Sequence, residues 1–137
     1  MAKLIVNGEN AILGRAGSYI AKQLLKGDSV IFINCEKLMV SGRKELFVER
    51  IRQKRRMGSG GSMKGPKYIR QEDMLVKRML RGMLPWDRPK GREAHKRLRC
   101  ETKTGNLTKE EIATAKVFNH KKPQRFATMK EIVRLLK

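Results

Sequence analysis

Residues 4–33, LIVNGENAILGRAGSYIAKQLLKGDSVIFI, decide the fold. Leu4, Ile5 and Val6 form a short apolar run that Asn7 and Gly8 end, and Val30, Ile31, Phe32 and Ile33 form a second. Short apolar runs rich in β-branched residues and bounded by turn formers read as buried strands. Between them, Ala16, Tyr19, Ile20 and Leu24 recur at helical spacing from Gly14 onward. Gly27 stands where a left-handed cap would stop that helix. Strand, helix and strand over roughly thirty residues make a parallel βαβ unit, right-handed by the usual rule. An α/β chain is expected.

Outward from this unit, Ser41 and Gly42 punctuate the chain before a second helix from about Lys44 to Met57, with Leu46, Phe47, Val48 and Ile51 as its apolar members. At 100° per residue its last cations, Arg52, Lys54, Arg55 and Arg56, point in nearly every direction. That turn cannot lie flat on an apolar core and is expected to project from the domain. A flexible, basic Gly/Ser-rich loop at about 57–68 follows, running through Ser59, Gly60, Gly61 and Ser62 and ordering only against a partner. A third helix, about Gln71 to Met83, sets Leu75, Val76, Met79, Gly82 and Met83 on one arc and Lys77, Arg78 and Arg81 on another. Pro85 stops it, Trp86 to Lys90 form a turn, and Gly91 to Leu98 read as a short basic helix leading to a strand near Arg99 to Thr102. Two capping-box patterns follow, Thr108 with Glu111 and Thr128 with Glu131. The second opens a terminal helix carrying Ile132, Val133, Leu135 and Leu136.

The 137 residues suffice for one domain burying roughly two thirds of its unfolded surface. A single domain over 1–137 is expected, with a less clearly defined tail from about 103. The chain carries 33 Lys and Arg against 13 Asp and Glu, a formal charge of +20. Self-repulsion of that size calls for a polyanionic partner, and nucleic acid is the densest one. The charge is concentrated: residues 41–103 hold twenty basic and seven acidic side chains, and residues 50–56 hold five cations and no acid. A membrane surface is the rival polyanion, but no apolar run approaches the 18 or so residues of a spanning helix, and Met1 to Val6 lacks signal-peptide character. The chain is expected to stay intracellular. Cys35 and Cys100 have no partners at zinc-ligand spacing and are expected to be two buried thiols in a reducing compartment.

Enzymatic patterns fail at their chemical residues. Gly60 and Gly65 are followed by Pro66 and Lys67, where a P-loop needs Lys and then Ser or Thr. Gly8 lacks the second and third glycines of a dinucleotide fingerprint. His95 and His120, each beside lysine, read as surface or phosphate-contacting groups rather than general bases. Glu45 and Glu49 read as surface charge partners of Arg43, Lys44, Arg50 and Arg52. No catalytic residue, metal, cofactor or small-molecule substrate is expected, and the chain reads as no enzyme. DNA-binding patterns are equally lacking, and with aromatics at 5% and no RNP motif, recognition of folded RNA by backbone and shape is the expectation. The expected contacts are Arg50, Arg52, Lys54, Arg55, Arg56, Lys64, Lys67, Arg81, Arg88, Lys90, Arg92, Lys96 and Arg97. Arg81 has the alternative of bracing the helix end at Pro85, Gly82 and Pro85 are assigned to packing and turn geometry, and Trp86 reads either as an RNA stacker or as a core plug.

Residues 76–98, VKRMLRGMLPWDRPKGREAHKRL, closely resemble the signature region of the large-subunit ribosomal protein L family numbered thirteen, most recognisably at Arg81, Gly82, Met83, Leu84 and Pro85. Residues 5–44, IVNGENAILGRAGSYIAKQLLKGDSVIFINCEKLMVSGRK, resemble the family's opening strand, helix and strand. Length and the short glycine-rich connection are similar to its archaeal and eukaryotic branch. The resemblance implies a three-layer α/β/α domain around a small, mostly parallel sheet of about four strands. It also implies binding of large-subunit ribosomal RNA beside neighbouring ribosomal proteins, a cytoplasmic location in the large subunit, and a part in assembly. The alternatives are a translational regulator binding messenger RNA outside the ribosome and an RNA-modifying enzyme.

Overall fold

The computed structural model describes residues 1–58, 61 and 65–137. The expectations placed on Lys64 and on most of the Gly/Ser-rich loop lie outside the described residues. Strand β1 (Lys3–Asn7), helix α1 (Leu13–Lys26) and strand β2 (Ser29–Ile33) form the βαβ unit, with Ile5 beside Ile31 and Val6 beside Phe32 in parallel register. Successive strand residues point to opposite faces, yet Ile5 and Val6 are both buried, as are Phe32 and Ile33. Both faces of the sheet are therefore covered, which is the three-layer α/β arrangement expected. Helix α1 ends at Gly27, whose φ of 109° suits a residue without Cβ. The Gly27 and Asp28 N–H groups donate back to the carbonyls of Leu24 and Gln23.

Later segments complete the sheet from its edges. Strand β3 (Met39–Ser41) lies apart, whereas β4 (Leu98–Cys100) pairs with β2 and β5 (Lys116–Val117) pairs with β1. The order is β4-β2-β1-β5, parallel throughout. The strand expected near Arg99 to Thr102 thus starts one residue earlier, at Leu98, because Leu98 is wholly buried opposite Val30. Strand β6 (Phe126–Thr128) pairs antiparallel with β3, Val40 opposite Ala127, a ribbon that no sequence pattern announced.

The helices are α2 (Lys44–Arg56), α3 (Glu72–Arg81), α4 (Pro89–Lys96), α5 (Lys109–Ala113) and α6 (Met129–Leu136). Helix α2 buries only Val48 and Ile51 and packs on α6, whereas α3 buries Leu75, Val76 and Leu80 and packs on β4. Helix α4 packs on α1 and buries Gly91 and Ala94. Both capping boxes form: Glu111 N–H donates to Thr108 Oγ1 at 3.3 Å, and Glu131 N–H to Thr128 Oγ1 at 3.4 Å. Helix α3 stops at Arg81, two residues short of the expected Met83, because tight turns take over. Met83 N–H donates to the Leu80 carbonyl, Leu84 to Arg81, and Arg88 to Pro85. Among the described residues no helix is long and apolar enough to cross a membrane.

Candidate nucleic-acid interface

Arg50, Arg52, Lys54, Arg55 and Arg56 are all exposed on the second half of α2. They are not equivalent. Arg52 Nη2 donates to the Leu135 carbonyl at 2.8 Å, satisfying one of the last carbonyls of α6, which have no partner inside that helix. That guanidinium holds α2 to α6, so the picture of a freely projecting turn fails at Arg52, and Lys54 also leans over the Tyr68 ring. Arg97 has a comparable internal task. It is half-buried, and its Nη2 donates at 2.8 Å to the Leu24 carbonyl in the last turn of α1. Its guanidinium braces α1 where the helix dipole favours a cation.

Two shallow cavities flank α3, with Arg78 lining both. The first, about 320 Å³, lies among Phe47, Arg50, Ile51, Lys54 and Tyr68. Lys54 Nζ stands 5.6 Å from the Tyr68 ring centroid and the Arg78 guanidinium 5.0 Å from it. The second, about 370 Å³, lies among Lys67, Ile69, Met74, Lys77, Arg81 and Trp86. Arg81 covers the Trp86 ring at 4.0 Å, and His95 meets that ring edge-on at 5.3 Å. Trp86 is half-buried, so it neither plugs the core nor stands free. Burial holds His95 below its usual pKa, and the nearby cations Lys77, Arg81 and Arg78 act in the same direction, against the opposing contact with the Lys77 carbonyl at 3.4 Å. Among the described residues no carboxylate lines either cavity. The arrangement combines phosphate-seeking cations with planar surfaces that accept a stacked base.

The remaining expected contacts lie on or next to α4. Arg88 precedes α4, and Lys90, Arg92 and Lys96 lie exposed along it, with Arg92 Nη2 3.5 Å from the Asp87 carbonyl. Gly82 has an ordinary helical φ of −66°, and a Cβ there would meet only the Met79 carbonyl at 3.4 Å. The close approach falls instead on Gly91, pressed against Pro85.

A separate groove of about 670 Å³ lies at the start of α1, lined by Gly14, Arg15, Ser18, Lys121 and Lys122 among others. His120 helps to shape this end of the fold: its Nδ1 accepts the Ile12 N–H at 3.0 Å, and its ring stacks on Phe118. His120, expected to be a surface or phosphate-contacting group, thus has one ring nitrogen engaged inside the fold. Reasoning from sequence assigned no contact to Tyr68, Lys77 or Arg78. The available signal was an aromatic interleaved with cations, Tyr68 between Lys67 and Arg70.

Charge compensation is sparse. Among the described residues the ion pairs are Lys3 with Glu111 at 2.6 Å and Lys37 with Glu9 at 3.1 Å. Neither pair includes a cation of the 41–103 segment. Lys3, followed by the Thr108 backbone, holds the Glu111 carboxyl below its usual pKa. Glu45 and Glu49, expected to pair with neighbouring arginines and lysines, form no ion pair, because all these side chains are exposed and solvated. The cysteines also differ from expectation. Cys35 is buried, with Sγ donating to the Phe32 carbonyl at 3.4 Å, but Cys100, on edge strand β4, is only partly covered. The fold brings them together, and the Cys100 thiol as hydrogen-bond partner, with burial, pushes the Cys35 thiol well above its usual pKa. Among the described residues no cluster of His, Cys, Asp and Glu could hold a metal ion.

Residues 2–104 match the family model described as ribosomal protein L13. The chain is 36% identical over 137 residues to the large ribosomal subunit protein uL13 of Archaeoglobus fulgidus, covering 96% of this chain and 86% of that one. It is 41% identical over 117 residues to uL13 of Methanopyrus kandleri, covering 81% and 72% of the two chains. With uL13 of Methanococcus maripaludis the identity is 42% over 100 residues, covering 72% and 73%.

Proposed function

Because the chain belongs to the ribosomal protein L13 family, we propose that it is a structural constituent of the large ribosomal subunit that binds and stabilises folded ribosomal RNA there and assists subunit assembly. The observation that carries this reading is the uncompensated cationic face running from the end of α2 across α3 to α4, where among the described residues no carboxylate lines the two cavities. Rigid packing of α2 on α6, α3 on β4 and α4 on α1 holds these cations in fixed relation. Many individually weak phosphate contacts then add without a further cost of ordering the backbone. Neighbouring large-subunit proteins are the other expected partners.

Salt dependence tests the reading. Each neutralised phosphate contributes about −0.7 to the slope of log affinity against log salt on single strands and about −0.9 on duplex. A Gln variant at Arg50, Lys54, Arg55 and Arg56 is expected to keep the fold, weaken binding to large-subunit RNA and flatten that slope by about 3. Arg52 is left intact because it holds α6. A slope equal to that of the parent chain would remove the end of α2 from the interface.

A further inference from the structure

We infer that the cavity beside Trp86 receives a single unpaired RNA base, with the phosphates on either side of that nucleotide resting on the lysines and arginines of its rim; this rests on the RNA-binding reading and deepens it. The floor of the cavity is apolar and open. Ile69 is 48% and Met74 40% exposed, and Trp86 is only half-covered. Large apolar side chains grouped in a concavity of this size mark a binding site more often than a bare surface. The rim is cationic: Lys67, Lys77 and Arg81 line it, and among the described residues no carboxylate does.

One occupant must satisfy both features. An apolar protein side chain would cover the floor but leave the rim cations without partners, and a paired RNA helix would meet the rim but keeps its base faces stacked inside, with none to offer the apolar floor. An extruded nucleotide carries a flat, apolar-faced base and an anionic link on each side. Arg81, whose guanidinium lies over the Trp86 ring at 4.0 Å, makes with it a cation–π pair beside which a base can stack. His95 meets the Trp86 ring edge-on at 5.3 Å and adds a second contact to it. The inference changes the expected mode of recognition: contact with backbone and shape is joined by selection for an unpaired position.

Trp86 is the sole tryptophan of the chain, so its fluorescence reports on this cavity alone. The probes are an RNA hairpin with one bulged adenosine and the same hairpin fully paired. The bulged hairpin is expected to quench Trp86 saturably and to bind about tenfold more tightly than the paired one, whereas the paired hairpin binds without quenching. Trp86→Leu is expected to equalise the two affinities, and Trp86→Phe to keep most of the preference. Met74→Glu, at an exposed position that does not threaten folding, is expected to abolish the preference even where it lowers both affinities. Equal affinities with no selective quenching, while the paired hairpin still binds, would overturn the base-binding site and leave the RNA-binding function standing. Failure of both hairpins and of large-subunit RNA to bind would overturn that function itself. Photo-crosslinks from Trp86 in assembled subunits that reach a protein side chain rather than a nucleotide would also overturn the site.

Discussion

Gly91 sits in the first turn of α4 against the Pro85 carbonyl; a Cβ added there would overlap the carbonyl oxygen and lie 2.5 Å from its carbon. Neither atom can move aside without breaking the turn in which Arg88 N–H donates to that same oxygen. Gly91→Ala is therefore expected to destabilise the fold by about 3 kcal/mol in denaturant unfolding, whereas Gly82→Ala, whose Cβ would make only an ordinary contact with the Met79 carbonyl, stays within about 1 kcal/mol. His95 gives a pH signature. Burial lowers its pKa in the fold, so the unfolded chain takes up the proton first. The associated stability is present above the usual value near 6.5 and declines as pH falls below it toward the folded value. His95→Gln is expected to flatten that decline in thermal melts between pH 7 and 5, and an unaltered profile would show that the ring titrates as it does in the unfolded chain. At this scale the sequence revealed which cations were available but not their partners. Arg52 and Arg97 looked like their neighbours, and only the fold brings Leu135 and Leu24 within their reach. Trp86, ambiguous on paper, takes an intermediate position because Arg81 and His95 both pack against its ring.

Among the elements, the link between α2 and α6 rests on one side-chain bond beyond apolar packing. Arg52→Gln is expected to cost about 1 kcal/mol and to raise amide hydrogen exchange in the last turn of α6. Equal exchange in parent and variant would assign the cohesion of the two helices to Val48 and Ile51 alone. Helices were legible wherever apolar residues recurred with a period near 3.6, as in α1 and α3, or where a capping box announced the start, as in α5 and α6. The two central strands were legible as buried runs. Strands β3, β5 and β6 were not, for a physical reason: each has only two or three residues, and both residues of β5 are exposed. Such segments become strands through the partner they meet, and Val40 is separated from Ala127 by most of the chain. Local periodicity carries no trace of a pairing made at that distance.

For the molecule as a whole, a charge of +20 with so few internal ion pairs means that the folded state repels itself. Raising salt from about 0.05 to 0.5 M shortens the Debye length from over 10 Å to roughly 4 Å. The free protein is accordingly expected to melt several degrees higher in the stronger salt, while its RNA complex loses affinity over the same range. A melting temperature that falls with salt would show the charges to be already neutralised within the fold. The strand order has a different consequence, concerning the chain while it is being made. Both central strands emerge within the first 33 residues, but their flanks arrive only at Leu98 and Lys116, and the partner of β3 only at Phe126. At about 10 residues per second the nascent chain therefore presents two unpaired sheet edges for several seconds. The segment emerging meanwhile is the most cationic of the sequence. Exposed edges invite strand-to-strand association between neighbouring chains, and mutual repulsion opposes it. The charge that burdens the finished fold thus keeps its unfinished forms apart.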